Sequence, residues 1–183
     1  MSPILGIIAS SKFVAAGDFE SIATVTVGSG GSAGPITFSS IPSTYTHLQL
    51  RYITRSASAL DALQFRFNSD TGSNYARHRL QGDGSSVTAA AASSATYAAS
   101  ADFPTTTSTF GAGVIDILDY ANTNKYKTVR LLAGYDANGS GLIDLRSNLW
   151  MSTSAITQID FISGNSTNFA QYSTFALYGC KSA

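Results

Sequence analysis

The residues whose types and spacing could do chemistry are few. The sharpest run is Asp136-Ala137-Asn138-Gly139-Ser140-Gly141-Leu142-Ile143-Asp144. Oxygen-bearing Asp136, Asn138 and Ser140 alternate ahead of Gly141, and Asp144 follows three residues later, the pattern a hard cation such as calcium uses. A twelve-residue calcium loop would end on a bidentate Glu, and that position holds Ser147. The flanks also read as strands, so an Asn-Gly hairpin is the expected structure and no metal is assigned. Arg77 and Arg79, with Arg66 nearby and Tyr75 beside them, form a small basic group. Such a group can take an anionic glycan or an acidic partner, or pair with Asp61, Asp70 or Asp83. Tyr97 and Phe103 are expected to join it as exposed aromatics on which a sugar can stack, whereas Trp150 is expected in the core.

Other chemistries find less support. His47 and His78 are the only histidines and lack the spacing of metal ligands. No G-x-S-x-G elbow is present. Asp116 and Asp119 point to opposite faces of a strand, and nothing in the spacing joins Asp61 to Asp83. The glycine-rich GSGGSAG at 28–34 precedes a strand and lacks the Lys-Ser/Thr of a phosphate loop. The lone Cys180 reads as a small core residue. No catalytic residue and no cofactor is expected, and the chain reads as a non-enzyme.

Composition narrows the setting. Lysine plus arginine equals aspartate plus glutamate at 11 each, and charged residues make up 12% of the chain. No basic stripe exists for nucleic acid, and copies of the chain repel one another weakly. No apolar run is long enough to span a membrane, and the start MSPILGIIASSK lacks the basic region of a secretory signal.

The elements that must position these residues are strands. A central meander covers 113–150: Val114–Leu118, then Thr128–Tyr135 with Val129, Leu131, Ala133 and Tyr135 on one face, then Leu142–Trp150. Phe19–Val27, Pro35–Phe38, Leu48–Tyr52, Ala62–Phe67, Asn74–Leu80, Ile156–Ser163 and Tyr172–Cys180 alternate in the same way. The Ala/Ser/Thr-rich segment Val87–Thr109 reads as a long surface excursion with at most one weak strand. About ten strands without an amphipathic helix predict an all-β antiparallel sandwich, jelly-roll-like, over 18–183. Residues 1–17 read as an N-terminal arm, with Ile4, Leu5, Ile7 and Ile8 anchoring it to a partner by strand addition, the alternative being an edge strand of the domain's own sheet.

The chain resembles a family of small tailed-bacteriophage virion proteins. The resemblance rests on PILGIIASS at 3–11, FESIATVTVGSGG at 19–31, ITFSSIPSTYTHLQLR at 36–51 and FNSDTGSNYARHRLQGDG at 67–84. It continues through VIDILDYANTNKYKTVR at 114–130 and LLAGYDANGSG at 131–141 to FALYG at 175–179. The family's usual Ile-Lys after FALYG is Cys180-Lys181 here. The resemblance implies a β-sandwich, self-association and a place on the virion, and brings no catalytic residue. The expectation is a homotrimeric structural protein on the particle exterior, assembled in the host cytoplasm. It would be a capsid decoration protein or a compact tail fibre, attached through its arm to a capsid or tail protein. The alternative is a fibre-tip module that binds a host surface glycan.

Overall fold

A computed structural model of the chain describes residues 18–58, 61–165 and 167–181. The anchoring residues Ile4, Leu5, Ile7 and Ile8 lie outside the described residues. Twelve strands form among those described: β1 (Phe19–Thr26), β2 (Ile36–Phe38), β3 (His47–Thr54), β4 (Asp61–Phe67), β5 (Tyr75–Gly82), β6 (Val87–Ala95), β7 (Ala98–Phe103), β8 (Gly111–Ile117), β9 (Lys127–Asp136), β10 (Gly141–Trp150), β11 (Ile159–Ser163) and β12 (Thr174–Cys180). They build an antiparallel β-sandwich of unequal sheets. The large sheet has eight strands in the order β1-β12-β3-β8-β9-β10-β5-β6; the small one has four, β2-β11-β4-β7. Three connections are hairpins within the large sheet, and the others pass between sheets.

Period-two alternation drives this arrangement. Leu48, Leu50 and Tyr52 of β3, Leu63, Phe65 and Phe67 of β4, and Val129, Leu131 and Ala133 of β9 all turn inward and are buried. A chain of aromatic contacts fills the gap between the sheets: Phe65 meets Phe161, Phe161 meets Phe175, and Phe175 meets Phe169, at 5.3–5.7 Å between ring centres. At one end Phe67, Tyr75 and Trp150 continue the cluster. The Trp150 Nε1–H donates to Asp70 at 2.7 Å, so the indole is both buried and satisfied.

Two expectations fail in the segment 87–109. It is not a surface excursion: it holds β6, which extends the large sheet, and β7, which closes the small one. Alanine is a poor strand former in isolation, yet small side chains are what permit this placement. Ala98, Ala99 and Ala101 are buried where β7 packs close against β10 and its neighbours. Phe103, expected as an exposed sugar platform, is buried in the core against Phe169.

The two sheets differ by four strands, so the larger one overhangs the smaller. The overhang is the β5-β6 end, because the edge strand β7 lies over β10 and reaches only the margin of β5. The open edge of β7 is closed by a side chain. Asn148 of β10 accepts from the Ala99 N–H at 3.0 Å and donates to the Ala99 carbonyl at 3.2 Å, imitating a neighbouring strand.

Candidate functional site

Beneath the overhang, strand pairing brings polar residues together. On the inward face of β10 lie Asp144, Arg146 and Asn148, all buried. Their antiparallel register sets Asp144 opposite Gln81, Arg146 opposite Arg79 and Asn148 opposite Arg77 of β5. Beyond β5, Arg79 faces Ala90 and Arg77 faces Ala92 of β6. The result is a cavity of about 250 Å³ walled by Arg77, Arg79 and Arg146, by Asp102 of β7, by Tyr97 of the β6–β7 turn and by alanine methyls.

The charges in this cavity are unevenly matched. Arg146 is held by Asp144, with Nε–H donating at 2.9 Å to both carboxylate oxygens and Nη2 at 2.6 Å to one of them. Arg77 lies over the Tyr97 ring, 4.7 Å from its centre, and Nη1 donates to the Tyr97 carbonyl at 3.3 Å. Arg79 makes no ion pair among the described residues, and its buried Nε finds no acceptor. Burial pushes the Asp102 carboxyl above its usual range, although Arg146 and Arg79 pull it the other way.

The structure therefore gathers Arg77, Arg79 and Tyr97, as the sequence suggested, half-buried around a cavity rather than on an open surface. Arg66 stays apart, donating to the Thr96 carbonyl at 3.1 Å. The expected carboxylate neighbours are occupied elsewhere. Asp61 is buried among Ser163, Thr167 and the Asn165 N–H; Asp70 serves Trp150 and Asn74; Asp83 caps its own turn at Ser85 and Ser86. The residues that reasoning from sequence missed are Asp102, Arg146 and Asn148. Parity with the core residue Trp150 was the available signal, since 144, 146 and 148 share its face.

The run 136–144 forms the Asn-Gly hairpin expected of it, and parity separates its oxygens. Asp136 accepts the Asn138 N–H at 2.8 Å, and Asn138 and Gly139 take positive φ, which makes an ordinary hairpin turn. Asp144 sits three residues into β10, buried and bound to Arg146, so the four oxygens never converge. Among the described residues no three His, Cys, Asp or Glu side chains cluster to hold a metal. Asp116 accepts from Gln49, while Asp119 pairs with Lys125 and gives its N–H to His47 Nδ1. His78 is exposed on the opposite face of β5. Burial pushes the Cys180 thiol up, away from thiolate chemistry.

The outward face of the large sheet is the second region. Two neighbouring cross-strand rows are almost wholly apolar. One runs Val114, Leu132, Leu145, Leu80, Ala89 across β8, β9, β10, β5 and β6. The next runs Ile53, Ala112, Gly134, Ile143, Gly82, Val87. Seven aliphatic side chains in these rows are exposed, from 37% at Val114 to 72% at Val87. Ala112, Gly134 and Gly82 keep the second row low between Ile53 and Ile143, leaving a shallow concavity of about 870 Å³. Gly134 is required there, because a Cβ would lie 2.3 Å from the Leu142 carbonyl oxygen. The polar row Gln49, Asp116, Arg130, Ser147, His78 borders the patch on one side.

No protein-family model, curated protein or solved structure matches this chain.

Proposed function

We propose that this chain is a non-catalytic assembly protein that packs against further copies of itself through the outward face of its large sheet. One observation carries this reading: β10 and β5 are apolar outside and charged inside. Ile143, Leu145 and Leu80 face out while Asp144, Arg146 and Arg79 face in. A strand that spent its life as a monomer surface would gain from the opposite pattern.

The seven aliphatics expose on the order of 700 Å², above the ~300–600 Å² of the largest patch on an ordinary monomer and near the ~800 Å² each partner gives to a stable interface. A second copy is the occupant that fits. The formal net charge is zero, so copies meet without net repulsion. The phage-virion resemblance supplies the setting: a homotrimer on the particle exterior, as a decoration protein or compact tail fibre.

Sedimentation velocity tests the reading. The wild-type chain is expected at a multiple of its 19.1 kDa mass, and Leu132→Glu at the monomer mass. A monomeric wild type, or a Leu132→Glu chain that keeps the oligomer, overturns it.

A further inference from the structure

We infer that the cavity beneath the overhang is a binding site for a carboxylate carried on a single sugar ring, with Arg79 as its principal contact. This site is independent of the outward face and survives if self-association fails.

Arg79 and Arg146 stand directly opposite one another on an inward face, a pairing that like charges disfavour. Asp144 neutralises Arg146 through its bidentate contact. Asp102, the carboxylate that lines the cavity, forms no ion pair with Arg79. Neither Arg77 nor Arg79 has an ion pair among the described residues; Arg77 is engaged by the ring and carbonyl of Tyr97, which leaves Arg79 as the guanidinium without a partner. Arg79 lines the cavity, its Nε–H has no acceptor among the described residues, and a guanidinium presents its N–H donors in a fork that matches the two oxygens of one carboxylate. The cation and the vacancy are in the same place.

Size and lining choose the rest of the ligand. A volume of about 250 Å³ equals that of about eight waters at ~30 Å³ each, which is the scale of one hexuronate ring and too small for a chain of them. The alanine methyls offer an apolar wall for a ring face. Tyr97 and Asp102 also line the cavity and bring polar groups of the kind that meet ring hydroxyls. A neutral sugar would leave Arg79 unpaired and so gains nothing from the feature that defines the cavity.

The experiment follows the arginine Nε–Hε resonances of the full chain by NMR during titration with D-glucuronate, D-glucose, inorganic phosphate and a Gly-Asp-Gly peptide. D-Glucuronate is expected to shift the Arg79 signal saturably, with a Kd on the order of 1 mM, while D-glucose leaves it unmoved. Arg79→Gln removes one of two facing cations and is expected to fold and to weaken binding on the order of tenfold or more. Ala90→Leu, which fills the cavity opposite Arg79 and leaves every charge in place, is expected to abolish binding. No saturable shift with D-glucuronate, or an equal shift with D-glucose, overturns the proposal. So does full affinity in either variant. Phosphate binding as tightly as D-glucuronate overturns the carboxylate assignment, and the peptide binding alone overturns the sugar.

Discussion

The two faces of β10 are opposite in character to those of an ordinary core strand. Inward, Asp144, Arg146 and Asn148 are nearly closed to solvent; outward, Ile143 and Leu145 are more than half open. At its last residue the inward face of the strand turns hydrophobic, where Trp150 is buried. The change comes where the small sheet ends. As long as β4 and β11 lie opposite, the inner face needs hydrocarbon to fill the gap. At β7, the last strand of the small sheet, a polar cluster replaces the hydrocarbon core. The lesson is that burial in this fold follows the footprint of the small sheet rather than strand identity. The outward aliphatics lie outside that footprint and need a cover the single chain does not provide.

The comparison breaks most visibly at Arg146. Arg146→Ala leaves the Asp144 carboxylate buried and unpaired, and the expected loss is about 3–5 kcal/mol in denaturant unfolding. Replacing both members, Asp144→Leu with Arg146→Met, should recover most of that loss, because the desolvation of two charges disappears together with their attraction. If the double variant is as unstable as the single one, the pair is a positive contributor and the inner face is not a mere filling of the overhang.

Asn148 comes next. Asn148→Ala removes both bonds to Ala99 and leaves a buried N–H and carbonyl on the β7 edge unsatisfied. A loss of about 1–3 kcal/mol is expected, with faster amide exchange at Ala99 than elsewhere in β7. Uniform exchange along the strand would show that the edge is protected by packing alone.

At the aromatic end a smaller, pH-dependent effect separates core from cluster. Burial pushes the Asp70 carboxyl up, but the donors Trp150, Asn74 and the Gly72 N–H outweigh it and hold the folded value below normal. The folded carboxylate is thus favoured, so its contribution is present above the unfolded pKa near ~3.9 and is lost as pH falls through the folded one. Stability of the wild type is expected to drop over that acid window, and Asp70→Asn should reduce the slope there while leaving the slope near neutrality unchanged. Urea midpoints measured across that window decide it.

Much of the fold was legible in the sequence, and the illegible parts share a cause. Alternation in β3, β4 and β9 announces which side is core, because each has one apolar and one polar face. β6 and β7 were not legible: alanine and serine carry little contrast, so VTAAAASSA and AASADF show no period. Their strand state comes from the neighbours that pair with them, Arg77 and Arg79 on one side and β4 on the other. Arg77, Arg79 and Tyr97 were legible as a group by residue type. Their partners Asp102, Arg146 and Asn148 were not, since each stands among residues that look like a different element. The contrast in β10 misleads in a specific way, because its most hydrophobic face is the one turned outward.

That outward face gives the smallest effect per protomer. Leu145→Ser removes an aliphatic side chain that is 54% exposed in the single chain, so its cost to the fold is expected to stay within about 0.5 kcal/mol. Association, by contrast, should weaken strongly, because Leu145 sits mid-row between Leu132 and Leu80. Thermal unfolding separates these terms. The wild-type midpoint should rise with protein concentration, since assembly stabilises the folded chain by mass action, and the Leu145→Ser midpoint should not. The two curves should meet at high dilution. If Leu145→Ser remains less stable than the wild type even there, then Leu145 contributes to the protomer itself, and the inside-out pattern of β10 does not mark an interface.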